Sequence, residues 1–264
     1  MANNTLYDIR QGAAWITLDR PDARNALSAA LVNELDAHIA TALDDAAVRC
    51  IVLTGNGPAF CAGADLKSPP GQVVDGRAGV SFADVLARIQ DAPKPVIAAV
   101  NGAAFAGGLG LVGASDIVVA VDDAPFAFSE VRIGVIPAVI SVVCLPKLGI
   151  HHGMKLFLTG ERFSGAQAVA LGLVHRAVPR TGLHAAVQAE IDMLNLGGPT
   201  ALAECKRLVR RVPHLPRDEA LRVTSEWSAR TFRGAEAAEG MAAFREKRQP
   251  AWASGAPPTK DRQG

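Results

Sequence analysis

Short, uncharged apolar segments that each end near a turn constrain the fold of this chain most strongly. Three of them are residues 50–54, 95–100 and 117–121. Continuous apolar runs of this length are typical of strands buried on both faces of a sheet. Helical patterns lie between them, as at residues 82–89. The repetition predicts an α/β fold built from stacked ββα or βα units, and it argues against a sandwich or a helix bundle.

The two ends of the chain differ from this middle part. Residues 6–10 and 14–18 are predicted to be strands joined through Gly12, and Ser28 is predicted to cap a helix. After residue 145 the pattern becomes helical. We therefore expect two domains, a core over residues 1–195 and a helical region over residues 196–264.

Composition excludes several classes of protein. With 49% hydrophobic and 20% charged residues among 264, the chain is a folded protein. A net charge of +1 argues against a broadly basic nucleic-acid binder. The four cysteines have no metal-site or disulfide-framework spacing, and no histidine pair has ligand spacing, so no metal is expected. We expect a cytoplasmic protein, since residues 1–10 lack the apolar segment of a secretory signal.

Two further patterns have more than one interpretation. Residues 95–114 carry no charge, but glycine and alanine make up much of the segment, which favours a buried strand and helix start over a membrane helix. Residues 196–264 hold 13 Lys+Arg against 8 Asp+Glu, a net charge of +5. Such an excess indicates either a solvated helix face or a surface for phosphates.

One motif suggests a dinucleotide site but fits it poorly. Residues 108–113 match the pattern G-x-G-x-x-G, which cradles pyrophosphate when it directly follows a strand. Here the preceding predicted strand ends near Val100, too early for that turn. A dinucleotide oxidoreductase therefore remains only a distant alternative.

Two glycine-bearing turns are more informative. They cover residues 59–67 and 100–109, and each follows a predicted strand. Their small side chains leave backbone N–H groups accessible, and Gly107 and Gly108 open a predicted helix whose first N–H groups lack intrahelical partners. Two such groups converging on one point would form an oxyanion hole. By spacing alone, two ordinary tight turns explain the pattern as well.

Together these segments resemble the crotonase (enoyl-CoA hydratase/isomerase) family. The similar segments are LDRP at 18–21, NAL at 25–27, TG at 54–55, FCAGADLK at 60–67, and residues 100–117, 130–137 and 244–248. The resemblance implies the ClpP/crotonase-like fold, a spiral of ββα units with a helical C-terminal trimerisation region. It also implies a CoA thioester as substrate, a homotrimer or dimer of trimers, and no cofactor beyond that CoA, with no nucleic-acid or membrane partner.

The resemblance also assigns roles to individual residues. The N–H groups of Ala64 and Gly107 would be the oxyanion donors. The CoA would run along Ala62 and the segment from Ala64 through Asp65 and Leu66 to Lys67. From a neighbouring subunit, Phe244 and Lys247 would contact it.

The chain departs from the best-known hydratases of this family at one catalytic position. Those enzymes have two glutamates; the second corresponds to Glu130, whereas the first corresponds to Gly110. Glu130 is thus the expected single acid/base, unless it only pairs with Arg132. Hydration of a 2-enoyl-CoA is the expected reaction, and an isomerase, a thioesterase or a non-catalytic CoA-thioester binder are the alternatives. Residues 104–112 and 130–141 most resemble hydratases of branched, acidic substrates such as 3-methylglutaconyl-CoA.

Overall fold

The computed structural model describes residues 4–74, 76 and 78–253. The chain divides into two compact units, one ending at Gln188 and one beginning at Ala189. The first unit contains the sheets, and the second is helical.

An antiparallel hairpin begins the first unit. Strands β1 (Thr5–Arg10) and β2 (Ala13–Leu18) pair through a turn in which Gln11 and Gly12 both have positive φ, the geometry that matches the twist of a tight hairpin. Helix α1 (Ala29–Asp44) follows, and the Ser28 side chain accepts a hydrogen bond from the Leu31 N–H at 3.2 Å. The predicted strands and helix cap are confirmed.

Three successive turns of the chain then repeat one pattern, in which each turn gives a strand to a large sheet, a strand to a small sheet, and a helix. The first turn has β3 (Cys50–Gly55), β4 (Ala59–Cys61) and α2 (Phe82–Asp91); the second has β5 (Val96–Val100), β6 (Ala103–Phe105) and α3 (Gly107–Ala114); the third has β7 (Ile117–Val121), β8 (Pro125–Ala127) and α4 (Ala138–Thr159).

The strand pairing shows that these turns stack as a spiral. The large sheet has the order β1-β2-β3-β5-β7-β10, where β10 is Arg176–Val178, and every pair after the first is parallel. The small sheet has the order β4-β6-β8-β9, where β9 is Phe163–Ser164. Within it β4, β6 and β8 are parallel. Each chain turn therefore lies beside the one before it in both sheets.

The uncharged segment from residue 95 is part of this core. All five residues of β5 are buried, as the continuous apolar run predicts. The segment then bends through β6 into α3, and among the described residues no helix is long and apolar enough to cross a membrane. The G-x-G-x-x-G pattern at residues 108–113 lies inside α3, so it forms helix rather than a phosphate-binding turn.

Some elements differ from their predicted bounds. Helix α4 begins at Ala138, before residue 145, after which the sequence predicts helices, and it is bent at Gly149, whose φ is 67°. Pro146 and this glycine interrupt the helical pattern, which explains why the first part of the helix was not predicted. The short strands β4, β6 and β9 were not predicted, since two or three residues carry too little periodicity.

The described part of the chain after residue 164 is mostly helical. It contains α5 (Gly165–Ala170), α6 (Leu183–Leu196), α7 (Pro199–Arg211), α8 (Arg217–Phe232) and α9 (Ala235–Glu246). In the second unit, the Glu236 carboxylate accepts hydrogen bonds from the N–H groups of Thr200 and Ala201 at 2.9 and 2.7 Å. It thereby satisfies donors that the start of α7 leaves without intrahelical partners.

Candidate active site

The first candidate donor, the Ala64 N–H, is oriented by a backbone bridge to Leu27. The Leu27 N–H donates to the Gly63 carbonyl at 2.8 Å, and the Leu27 carbonyl accepts from the Asp65 N–H at 3.0 Å. In such a parallel bridge the residue between the two bonded groups directs its own N–H to the other side. Within the described residues the Ala64 N–H has no acceptor, so it is available to a ligand.

The second candidate donor is the N–H of Gly107, the first residue of α3. The residue before it, Ala106, has φ 48° and ψ −118°, a conformation that alanine rarely adopts. The Ala106 N–H is held by the Ala127 carbonyl at 3.0 Å. A helix has no acceptor for its first N–H groups, and the described part of the chain provides none for Gly107. The positive end of the helix dipole lies at this point.

The two turns touch each other through glycine backbone. A Cβ atom on Gly63 would lie 2.9 Å from the Ala106 Cβ and 3.4 Å from the Gly107 nitrogen. Gly63 also has φ 95°, so both the space and the conformation at this position require glycine. This close contact brings Ala64 and Gly107 to neighbouring positions, and both line one cavity. The pair can stabilise negative charge on a carbonyl oxygen placed between them.

This cavity, which we call the acyl cavity, has a volume of about 360 Å³. Small or apolar residues form most of its wall, and Glu130 is the single ionisable residue among those described as lining it. The lining residues are Ala62, Ala64, Leu66, Ala106, Gly107, Ser129, Glu130, Ile133 and residues 135–140. A wall of this kind suits an acyl chain and strengthens electrostatic interactions within it.

Glu130 lies on a short 3-10 helix, Ser129–Ile133, which ends at Gly134 with φ 77°. Its Oε2 is buried and has no hydrogen-bond partner among the described residues. Burial raises the pKa of the Glu130 carboxyl above its ordinary value. The alternative of an ion pair with Arg132 is wrong, because the structure forms no such pair. A carboxylate that lines a cavity and has a buried oxygen without a partner is well placed to exchange protons with a ligand.

Gly110, where the resemblance expects another glutamate, faces apolar side chains. A Cβ atom there would lie 2.6 Å from Cγ2 of Ile140 and 3.1 Å from Cε1 of Phe82. Sequence reasoning identified the missing carboxylate but missed the two residues that fill its place. No local signal marks them, since both come from other helices.

The residues predicted to line the CoA path have mixed surroundings. The Asp65 carboxylate accepts hydrogen bonds from Arg20 and from the Lys67 N–H, both at 3.0 Å. The Lys67 N–H first, and then Arg20, lower the pKa of Asp65. Leu66 is 76% exposed, and Lys67 is exposed as well. Asp65 thus orders the segment, whereas Leu66 and Lys67 are accessible to a ligand.

Phe244 and Lys247 lie near the end of α9 in the second unit. Phe244 is 87% exposed, although it is a large apolar side chain. Lys247 ends the helix with φ 53° and is also exposed. Both are accessible in a single chain, and their role toward CoA stays a prediction.

Comparisons with known proteins agree with this architecture. The family model described as enoyl-CoA hydratase/isomerase matches residues 8–255. The chain is 35% identical to enoyl-CoA hydratase EchA19 of Mycobacterium tuberculosis, covering 94% of this chain and 95% of that protein. It is 36% identical to carnitinyl-CoA dehydratase of Citrobacter koseri, covering 95% and 98%.

A solved structure supports the same assignment. The crystal structure of an enoyl-CoA hydratase from Mycobacterium smegmatis superposes with a TM-score of 0.85 at 34% identity. It covers 94% of this chain and 98% of that one. The spiral of ββα turns is therefore the crotonase fold, and the chain belongs to the enoyl-CoA hydratase/isomerase family.

Proposed function

We propose that this protein adds water across the 2,3-double bond of an enoyl-CoA thioester, with Glu130 as its one acid/base. The proposal rests on the groups that line the acyl cavity. The N–H groups of Ala64 and Gly107, which have no acceptor among the described residues, line the same apolar cavity as Glu130, whose Oε2 has no partner among them. Hydration of an enoyl thioester requires hydrogen-bond donors to the thioester oxygen and an acid/base group within the same site.

The reaction follows from these positions. The thioester oxygen accepts hydrogen bonds from Ala64 and Gly107. The Glu130 carboxylate takes a proton from water as the water oxygen bonds to C3, and the electron pair of the double bond moves onto the thioester oxygen as an enolate. Glu130 then returns its proton to C2, which leaves the 3-hydroxyacyl thioester. In comparable sites each oxyanion donor contributes about 10²–10³ in rate.

CoA itself would be held by the segment after the first donor. We place it along Ala62, Ala64, Asp65, Leu66 and Lys67. No cofactor besides the CoA of the substrate enters this proposal.

The second copy of the chain would complete the site. Phe244 and Lys247 of that copy would cover the CoA, which gives the exposed phenylalanine ring a partner. Large apolar side chains also remain exposed on α4, among them Val142, Ile150 and Leu158. Exposed apolar surface of this kind is typical of subunit interfaces. We therefore propose a homotrimer or a dimer of trimers, and sedimentation velocity of the purified protein tests it.

The single carboxylate also suits two other reactions. Glu130 could move a proton between C2 and C4, as in an isomerase, or activate water against the thioester carbonyl, as in a thioesterase. Both would use the same two N–H donors. Hydration is preferred because the closely similar relatives are named as hydratases and a dehydratase.

A mass-resolved assay separates these reactions. Purified protein is mixed with crotonyl-CoA, 3-methylglutaconyl-CoA and a 3-enoyl-CoA. A product one water heavier with CoA attached supports the hydratase; free CoA supports the thioesterase, and a 2-enoyl product of unchanged mass supports the isomerase. No conversion of any substrate by a protein that binds them would contradict catalysis.

The variant Glu130→Gln tests the role of the carboxylate. It keeps the size of the side chain but removes its base, so turnover should fall by about 10²–10⁴. Binding of the non-reacting butyryl-CoA should stay within a few fold, as measured by calorimetry. Turnover at the wild-type rate would show that another group is the base.

A further inference from the structure

Two residues with polar side chains belong to the described wall of the acyl cavity. They are Glu130 and Ser129, which directly precedes it. Every other residue described in that wall is apolar or is glycine. Gly110 supplies no further acid, and Ile140 and Phe82 surround its position. Among the described side chains of this cavity, Ser129 is therefore the one that can assist Glu130 in polar chemistry.

The packing of Phe128 fixes the position of Ser129. Phe128 is fully buried, and its ring centre lies 4.7 Å from that of Phe157 and 6.3 Å from that of Phe163. Ser129 follows as the first residue of the 3-10 helix that carries Glu130. The Ser129 hydroxyl forms no hydrogen bond to another described residue. It is thus available to a ligand or to water.

Ser129 also lines a second cavity, of about 560 Å³, which we call the polar cavity. Charged residues form much of its wall, namely Arg24, Arg132, Glu161 and Arg162. All three arginines are exposed, so the polar cavity is open to solvent. Among the described residues, Ser129 is the one that lines both cavities. It therefore lies where the apolar acyl cavity meets the solvent.

We infer that the Ser129 hydroxyl, together with the Glu130 carboxylate, holds the water that attacks C3. This inference rests on the proposed function, which supplies the enoyl-CoA substrate. A serine hydroxyl accepts hydrogen bonds as well as donating them. The water donates one hydrogen to Glu130 and the other to Oγ of Ser129, which leaves a lone pair of its oxygen for C3. Only the first hydrogen is transferred, as a proton to Glu130, so Ser129 neither gains nor loses a proton.

The second hydrogen bond contributes by orienting the water. A water held by Glu130 alone can rotate about that one bond, whereas two bonds fix the direction of its lone pair. The polar cavity also explains how water reaches C3 beside a bound acyl group. An acyl group displaces water from the apolar wall, but solvent in the polar cavity stays next to Ser129. A backbone carbonyl in the wall is the alternative acceptor for the second hydrogen.

The test compares two reactions of the full chain that share Glu130 but differ in the attacking water. The first is hydration of crotonyl-CoA. The second is exchange of the C2 hydrogens of butyryl-CoA for deuterium from D₂O, measured by mass spectrometry, which needs no attack at C3. Ser129→Ala should lower kcat for hydration about tenfold, as the loss of one hydrogen bond allows. The KM for crotonyl-CoA and the rate of C2 exchange should both stay within twofold.

Two further variants serve as controls. Ser129→Thr keeps a hydroxyl at the same position and should retain most of the hydration rate. Ser141→Ala removes a hydroxyl that donates to the Ala138 carbonyl at 2.7 Å on α4. Ser141 does not belong to the described wall of the acyl cavity, so neither reaction should change in that variant.

Two results would overturn the inference and leave the proposed function intact. Hydration by Ser129→Ala at the wild-type rate would assign the second hydrogen of the water to a backbone carbonyl. An equal fall in hydration and in C2 exchange would mean that Ser129 positions Glu130 and not the water. A wild type that hydrates no enoyl-CoA would instead overturn the proposed function, and the inference with it.

Discussion

A Cβ atom on Gly110 would lie only 2.6 Å from Cγ2 of Ile140. Ile140 is 4% exposed, so its side chain has little freedom to move away. Phe82 closes the remaining space, with Cε1 3.1 Å from the same Cβ position. The position at which the resemblance expects a first glutamate is therefore surrounded by packed apolar groups, which leave no room for a longer side chain.

The first prediction is that Gly110→Glu does not accelerate crotonyl-CoA hydration. The new side chain meets Ile140 and places a carboxylate among apolar groups, which is unfavourable without a partner. Gly110→Ala is the matched control, because it introduces the Cβ contact without charge. Overpacking of this kind costs about 1–3 kcal/mol in the free energy of unfolding, which urea titration measures.

Removing the neighbouring side chain should relieve that strain. In Gly110→Ala/Ile140→Ala, the combined loss of stability should be smaller than the sum of the two single losses, since the variants act on the same contact. Additive losses would place the strain elsewhere. A Gly110→Glu protein with wild-type stability and faster hydration would show that the cavity accepts a second acid.

The second prediction concerns pH and Glu130. Burial raises the pKa of this carboxyl in the folded chain, so the folded state holds its proton to higher pH than the unfolded state does. Stability from this group is thus greatest below its unfolded pKa and falls as pH rises toward the raised folded pKa. Glu130→Gln cannot ionise at this position. The free energy of unfolding of this variant should therefore increase relative to that of the wild type as pH rises toward the raised pKa.

The same titration should appear in the activity. If Glu130 acts as base, kcat/KM should increase with pH through the raised pKa, above the ordinary range of a glutamate. A stability difference between Glu130→Gln and wild type that stays constant with pH would contradict the burial of this carboxyl group. If kcat/KM instead rose with pH at the ordinary pKa of a glutamate, the catalytic carboxyl would be an exposed one.

Local signals predicted much of the fold, but little of the second sheet. Strand β7 and the cap at Ser28 were predictable because an apolar run and a capping residue act on their immediate neighbours. Strands β4, β6 and β9 have two or three residues each, and they exist because strands distant in the sequence pair with them. Such pairing leaves no periodic pattern in the residues themselves.

The candidate site was predictable only in part, because segments that are distant in the sequence orient its groups. The resemblance predicted Ala64, Gly107 and Glu130 as site residues, but not how the structure orients their N–H and carboxyl groups. Leu27 orients the Ala64 N–H from a separate segment. The positive φ of Ala106 has no signal, because alanine ordinarily avoids it.

The third prediction concerns Asn25, which is fully buried and contacts the start of the glycine-bearing turn at residues 59–67. Its Oδ1 accepts the Arg20 N–H at 2.8 Å, and its Nδ2 donates to the carbonyls of Ala59 and Asn56 at 2.8 and 3.0 Å. Its φ is 56°, which asparagine tolerates better than alanine. Asn25→Ala should therefore cost about 3–5 kcal/mol in the free energy of unfolding, from lost hydrogen bonds and backbone strain.

Asn25→Gly separates these two causes. Glycine adopts the positive φ freely but loses the same side-chain hydrogen bonds. Its urea midpoint should therefore fall less than that of Asn25→Ala. Equal midpoints for the two variants would mean that hydrogen bonding alone holds this turn.

The fourth prediction concerns Asp65, whose carboxylate binds Arg20 and the Lys67 N–H. Asp65→Ala should loosen the segment through Lys67 and weaken butyryl-CoA binding several-fold. The rate at saturating enoyl-CoA should change little, because the bridge from Leu27 holds Ala64 through backbone groups that the substitution keeps. Asp65→Asn retains an acceptor for the Lys67 N–H and should lose less affinity. A large fall in kcat with unchanged affinity would instead mean that the Asp65 side chain positions the oxyanion donor itself.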